Sequence, residues 1–597
     1  MKINIYILLI ISIVICYSCI SDKTSGSYKD DNISYEPVSL TDSEKQILIE
    51  SLSGLHERYD SNEKMLTKTL TGWNYHTDAQ TGTFHEVRAS FNYAVALLDI
   101  GDEQYTQRAF DIIEKTITLQ DQDSASRSCG VWPYYLEEPL ATKKAPIDFN
   151  WADFNAVSLL DVWMGHQKRI PDNLRNEIKE SLILAAKSVQ KRNVGPSYTN
   201  IAIMGTYVTY MVSHLFDIPE MQDYSKARLQ RFYDYTLDKG GFTEYNSPTY
   251  TIVALDELSR MQKHIINPEA KTMIDSLYSI GWEMIARYYH KPSGQWAGPH
   301  SRSYSTLVRP SFYAILNQAS NGQINLPLLE PRMDVKIKHN IPEFVLHYFL
   351  SPVFPRIETD IFEKVEPQTI GTAYLTEKYA LSTANRSSLW NQRRPFLVYW
   401  GNIEVPKYLQ IRFLHDDYDF SSATFYSQQN ENNVLAGLNF ILNGGDKHIS
   451  IDRLKDGKFM AKDLRIRFEF GNVSTPDILN IPVSKNEPFS MIIDDLKFDF
   501  QMFIAEYEGL KGYWEKGGNE KASWIDFVFY SGAEKDFDLT KITKAVSGFT
   551  FSIDSANKNQ VTEKPDISEK DGQMDVIWKG LKIQIPVKPL LPKNTFI

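Results

Sequence analysis

The spacing of apolar residues changes once along this chain, and that change constrains the fold more than any other feature. From about Thr41 apolar residues recur every three or four positions, as in SEKQILIESLSGLHERY, WADFNAVSLLDVWMG and NIAIMGTYVTYMVSHLFD. That is the period of a helix with one buried face. From about Thr372 the period is two, as in RPFLVYWGN, YLQIRFLHD and RIRFEFGN, with aromatic and β-branched residues and short Asn-, Asp- and Gly-rich turns between them. A chain of 597 residues needs more than one core. Helices of similar length joined by short loops predict stacked antiparallel pairs. No short strict repeat suggests a TPR-like array, so closure into a ring fits better. The expected fold is mainly α plus β: an (α/α) toroid over residues 41–350, then an antiparallel β-sandwich over 351–597. A proline-rich stretch, LPLLEPRMDVKIKHNIPEFVLHYFLSPVFPRIE, joins them.

The N-terminus carries a separate signal. MKINIYILLIISIVICYSC has Lys2, an apolar run too short for an ordinary membrane span, and Ser18 before Cys19. It resembles a bacterial lipoprotein signal, which implies a signal peptide over 1–18, lipid on Cys19, and a location at the outer membrane, cell surface or periplasm. A plain secretory leader is the alternative. Residues 19–40, polar and Ser-rich, read as a flexible tether. Only Cys129 lies outside the leader region holding Cys16 and Cys19, so no disulfide framework is expected. The net charge of −11 argues against a nucleic-acid partner and requires that any anionic substrate be attracted by a local basic cluster.

Four stretches place hydrogen-bonding side chains at loop-to-helix junctions. GGFTEYNSPTY (Gly240–Tyr250) brings Glu244, Tyr245, Asn246 and Tyr250 to the start of a helix. PSYTNIAIMGTYVTYM (Pro196–Met211) opens with Asn200, and QWAGPHSRSY (Gln295–Tyr304) packs His300, Arg302 and Tyr304 on a loop. DFNWADFNA (Asp148–Ala156) offers Trp151 and Asp153, with Asn150 readable as a helix cap. CGVWPYYLEEP adds Trp132, Tyr134 and Tyr135 as sugar platforms. SSLWNQRRP brings Arg393 and Arg394 beside Trp390, as an acidic-sugar contact or a solvated turn.

A lipoprotein leader, a helical toroid and then a β-domain resemble the toroid-type polysaccharide lyases of heparinase II/III-like architecture, over nearly the whole chain beyond the leader. GFTEYNSPTYTIV looks like that family's G-x-x-E-x-S-P-x-Y segment with one more residue between Glu244 and Ser247, which implies that Tyr250 faces the cleft, with Tyr245 as a second candidate. Asn200 falls on the family's Asn, but the His expected directly after it is replaced by Ile201. His300 offers a substitute. The general likeness extends to the group that removes rhamnose from rhamnosyl-glucuronate caps of plant glycans.

The resemblance implies β-elimination on a 4-linked uronic acid: removal of the C5 proton and expulsion of the C4 oxygen. That chemistry needs the substrate carboxylate neutralised, a base at C5 and an acid at the C4 oxygen. Asn200 and Arg302 suit the first task, Tyr250 and His300 the others. Glu244, Tyr245, Asn246, Tyr304, Trp151, Asp153, Trp132, Arg393 and Arg394 are candidate substrate contacts. Each catalytic candidate has a structural reading too: Asn200 as a helix cap, Tyr250 in the core, His300 on a loop carbonyl, Arg302 in a salt bridge. A toroid glycoside hydrolase acting on uronic-acid sugars is the rival enzyme, with Asp153 and Glu244 as its carboxylate pair. A glycan-binding surface lipoprotein without catalysis is the third reading. No motif requires a cofactor: H-E-x-x-H, the EF-hand loop, the P-loop, G-x-S-x-G and the dinucleotide fingerprint are all missing from the sequence, and a metal held by dispersed ligands has no sequence signature.

Overall fold

The computed structural model describes residues 30–72, 76–328, 334–446, 448–452, 454–474, 484, 486–557 and 563–591. The signal peptide and Cys19 lie outside them.

The helical half opens with α1 (Asp42–Glu57), whose Thr41 hydroxyl accepts from the Glu44 amide while the Glu44 carboxylate accepts from the Thr41 amide. Four hairpins follow: α2 (Val87–Ile100) with α3 (Glu103–Ile117), α4 (Asn150–His166) with α5 (Asp172–Arg192), α6 (Thr199–Leu215) with α7 (Pro219–Lys239), and α8 (Tyr250–His264) with α9 (Pro268–Tyr288). Their turns are encoded locally. Gly101 in the left-handed region ends α2, and the Asp102 side chain caps α3. Asn193 and Gly240, also left-handed, end α5 and α7, and Asn267 caps α9 ahead of Pro268.

The first helices of each pair, α2, α4, α6 and α8, pack in succession as an inner row; α3, α5, α7 and α9 lie outside them. Composition follows position. Inner helix α6 buries sixteen of its seventeen residues, whereas outer α5 buries eight of twenty-one. Truncating a side chain such as Ile203, wholly buried in α6, costs about 2–5 kcal/mol. The gap between α2 and α8 is bridged by an irregular segment. Lys336 pairs with Asp99 of α2 and Asp161 of α4, and His339 bonds Asp256 and Ser259 of α8. Two shorter helices, α10 (Ser311–Ala319) and α11 (Glu343–Leu350), complete the helical half.

Residues 30–40, expected as free tether, are fastened to the C-terminal ends of the inner helices. Asp30 pairs with His214 of α6 at 2.8 Å, Ser34 donates to the His264 carbonyl of α8, and Val38 to that of Gly165 in α4. Helical periodicity also passed over a three-stranded antiparallel sheet (Tyr59–Asp60, Met65–Thr71 and Thr81–Glu86) inside the helical half.

From Arg356 the chain is antiparallel β-structure. One sheet centres on Lys458–Gly471 between Ala522–Asp538 and Pro406–His415, and ends on Arg356–Glu363. The other runs Phe489–Ile493, Leu496–Tyr507, Ala545–Ser555, Asn433–Phe440, Ala423–Asn430, Arg386–Ser388. Alternate residues of both, among them Leu409, Ile411, Phe413, Phe425, Phe549 and Phe551, meet in one apolar core. The residues between them, Gln410 and Arg412, join Glu469 and Asp419 in a polar network on the opposite face of the first sheet. That face leans on the helical half: Tyr399 donates to the Thr306 carbonyl, and Thr306 to Gln410.

Candidate active site

The inner helices start at one rim, so their unsatisfied N–H groups and positive dipole ends point the same way. GGFTEYNSPTY forms the turn into α8. Asn246 adopts a left-handed conformation (φ 44°), and its amide donates to the carbonyls of Ala297 and Pro299 while accepting from the Trp296 indole. It therefore clamps the 295–300 loop beside the turn and does not face a substrate. Ser247 accepts from the Tyr250 amide and donates to the Arg302 carbonyl, which starts the helix and fixes the Arg302 loop to it.

Arg302 is the hub. Its Nη1 donates to Glu244 at 3.1 Å, its Nη2 to the Tyr250 hydroxyl at 3.1 Å, and its Nε to Gln392 of the β-domain at 2.8 Å. The guanidinium also lies 4.8 Å from the ring centroids of both Tyr250 and Trp390. Glu244 takes the Asn200 backbone N–H at 3.5 Å. Asn200, in the first turn of α6, is 2% exposed, and neither atom of its side-chain amide takes part in a hydrogen bond among the described residues. The α6 cap position belongs to Tyr198, so Asn200 caps nothing. A buried side-chain oxygen without a donor, here the Asn200 Oδ1, is costly and rare. Tyr250 shares a hydrogen bond with exposed Tyr304 at 2.7 Å.

Burial raises the Glu244 carboxyl to about 7 against the pull of Arg302. Burial likewise pushes the Tyr250 phenol well above its ordinary value, with Arg302 opposing. Desolvation thus outweighs the nearby Arg302 cation at Tyr250.

Other expected residues lie elsewhere. His300 is 1% exposed; its Nδ1 bonds the Asn246 carbonyl and burial lowers it to about 3, so it holds the loop and is not a base within reach of a substrate. Tyr245 stacks on Phe362 at 3.9 Å, inside the contact between the two halves. Trp132 is core, its indole donating to the Thr116 carbonyl. Asp153 is buried beneath Gly205 near Arg228, and burial raises it to about 7. Among the described residues no hydrogen bond joins it to Glu244, which is held instead by Arg302 and the Asn200 N–H. Arg393 is buried and pairs with Asp446; Arg394 donates to the carbonyls of Asn391 and Arg393, while its backbone pairs with that of His300. The RRP segment therefore joins the halves of the molecule and does not present guanidinium groups. Trp151 is buried against Tyr134, whose hydroxyl donates to Asp148. Asp148, not Asn150, accepts at the start of α4; Asn150 instead donates to Tyr198.

Gln392 and Tyr198 were not expected in the site. Gln392 reaches Arg302 across ninety residues of chain, a pairing no local pattern announces. Tyr198 lies next to Thr199 and Asn200 in the segment already singled out, and its position before the first helical residue was the available clue.

A family model described as "Domain of unknown function (DUF8769)" matches residues 45–325. No curated protein matches the chain. Among solved structures, a crystal structure of heparinase III is 10% identical, with a TM-score of 0.45, and the match covers 95% of this chain and 94% of that one. A second heparinase III structure, with methylated lysines, is 11% identical at a TM-score of 0.39, covering 94% and 93%. Endoglucanase CelQ from Clostridium thermocellum, complexed with cellotetraose, is 10% identical at 0.21, covering 81% and 73%.

Proposed function

We propose that the protein is a polysaccharide lyase that cleaves a 4-linked uronic-acid glycoside by β-elimination. The observation that carries this reading is the Asn200 side chain, whose Nδ2 has no acceptor among the described residues, set in the first turn of α6 beside the Glu244–Arg302–Tyr250 chain. A uronate carboxylate can accept from the Asn200 Nδ2, and Arg302 and the helix N-terminus offset the charge that builds on the carboxylate as C5 loses its proton. Tyr250 is the proton carrier. As phenolate, which burial disfavours and the Arg302 N–H stabilises, it takes the C5 proton; the electron pair forms the C4–C5 double bond; the C4–O bond breaks, and the leaving oxygen takes the proton from Tyr250. The Tyr304 hydroxyl links Tyr250 to solvent for the initial proton loss. No step uses His300. Endo action within a chain and exo action on rhamnosyl-glucuronate ends use the same groups.

The hydrolase reading is disfavoured because Asp153 lies against Gly205, more than one helical turn down α6 from Asn200, while Glu244 is held by Arg302. Incubating the protein with acidic polysaccharides tests the proposal, since only a lyase creates an ultraviolet-absorbing double bond conjugated to the carboxylate.

The N-terminal reading belongs to the same proposal: Cys19 carries lipid and anchors the protein at the outer membrane or cell surface. Residues 30–38 run along the C-terminal ends of the inner helices, so the chain enters the fold on the side opposite the rim with Tyr250. Mass spectrometry of the native N-terminus is the check, and an unmodified Cys19 rejects it.

A further inference from the structure

Each inner helix contributes a side chain to the rim from its first residues: Tyr250 from α8, Asn200 from α6, Phe154 from α4 and Arg88 from α2. The last two form a unit that the chemistry above does not use. The Arg88 guanidinium carbon lies 3.7 Å from the centre of the Phe154 ring. Among the described residues Arg88 makes no hydrogen bond and no ion pair, and Asp334 and Glu257 act on it only through space. Other arginines of the helical half that point between helices are tied down. Arg302 holds Glu244, Arg260 holds Asp161 and Glu257, and Arg228 donates to Thr206, Tyr224 and the Ala202 carbonyl.

Arg88 is largely buried, and desolvation lowers its pKa, so its charge is kept at a cost no direct partner offsets. Stacking on Phe154 holds the guanidinium plane and leaves its N–H edges unused, the preorganisation that suits bidentate capture of a carboxylate. Neighbouring helices pack about 8–10 Å apart, so α2 lies no more than two spacings, about 16–20 Å, from α6 and Asn200. Tyr134 lies between, near Arg88 on one side and bonded to Asp148 at the start of α4 on the other.

We propose that Arg88, backed by Phe154, binds the carboxylate of a sugar unit away from the cleaved bond, so that the preferred substrate is a glycan acidic on more than one unit. This rests on reading the rim as an acidic-glycan cleft. The test is calorimetric binding to Tyr250→Phe protein, with and without Arg88→Met. Two probes of equal length are used: a 4-linked hexauronate, and an oligosaccharide with one terminal uronate. The ratio of affinities, hexauronate over singly charged probe, should fall about 10- to 100-fold in the double variant, the range for a charged hydrogen-bonded contact. Arg88→Lys, which keeps the charge but not the fork, should fall between. An unchanged ratio in a folded Arg88→Met protein overturns the inference and leaves the lyase reading standing. Failure of Tyr250→Phe protein to bind either probe removes the lyase reading and this inference with it.

Discussion

The hydroxyls of Tyr250 and Tyr304 share a 2.7 Å hydrogen bond, yet Tyr250 is 9% exposed and Tyr304 49%. The pair therefore joins a desolvated phenol, held by Arg302, to bulk water. Tyr304→Phe interrupts that route without removing the group that meets C5. Its turnover should drop by less than that of Tyr250→Phe, with the loss concentrated at low pH, where proton release from Tyr250 is hardest. A pH–rate profile checks this; a Tyr304→Phe profile parallel to wild type contradicts the relay.

Asn200 and His300 separate catalysis from support. Asn200→Ala should cost about 10²–10³-fold in kcat, the range for one donor to a developing oxyanion, with little change in melting temperature because its side-chain amide bonds none of the described residues. His300→Ala should do the reverse. It leaves the Asn246 carbonyl without its partner, at about 1–3 kcal/mol of stability, while folded protein retains most of its rate. Thermal melts and kcat on both variants decide, and a His300→Ala protein that melts normally but is inactive restores His300 as a base.

Glu244 gives the site a pH dependence. Its carboxyl is raised by burial to about 7, so below that pH it turns neutral and no longer cancels Arg302. An anionic sugar should bind more weakly as pH rises through about 7, visible as a rising KM. Glu244→Gln should flatten that rise. Persistence of the same inflection in the variant assigns it to another group.

Stability should fall on the alkaline side. Burial raises Asp153 and Glu244 to about 7 and Glu257 to about 8, from 3.8, 4.5 and 4.5. Between those values the folded chain holds more protons than the unfolded one, so these groups lose stability as pH rises. His264 and His290, lowered by burial to about 4, and His300, lowered to about 3, act oppositely, but only up to their unfolded value of 6.5. Above it the carboxyls act alone among these groups, and the melting temperature should decline from pH 6.5 to 8.5. A flat or rising melting curve over that range counts against the buried acids.

Much of this was legible in local pattern. The change of apolar period separates the helices ending at Leu350 from strands starting at Arg356. The junction motifs around Asn200, Tyr250 and Arg302 do converge: the first two open inner helices, and the third follows outer helix α9 and is fastened to the second through Ser247. What failed to show was direction and long range. Tyr245 and Tyr250 are five residues apart in one motif, but the left-handed turn at Asn246 sends the first against Phe362 and the second to Arg302. His300 is two residues from Arg302, yet the loop turns its ring toward Asn246. Residues 334–341, which bridge α2 and α8, have no periodicity to read; their role lies in ion pairs with Asp99, Asp161 and Asp256.

The central claim is elimination with Tyr250 as proton carrier. Its most direct test is ultraviolet absorbance during incubation of wild-type and Tyr250→Phe protein with a panel of glucuronate- and galacturonate-containing polysaccharides. The account predicts growing absorbance with at least one substrate for the wild type and a rate about 10²–10⁴-fold lower for Tyr250→Phe, with the variant still folded. Cleavage that releases reducing ends without that absorbance, or a Tyr250→Phe protein as fast as wild type, contradicts it.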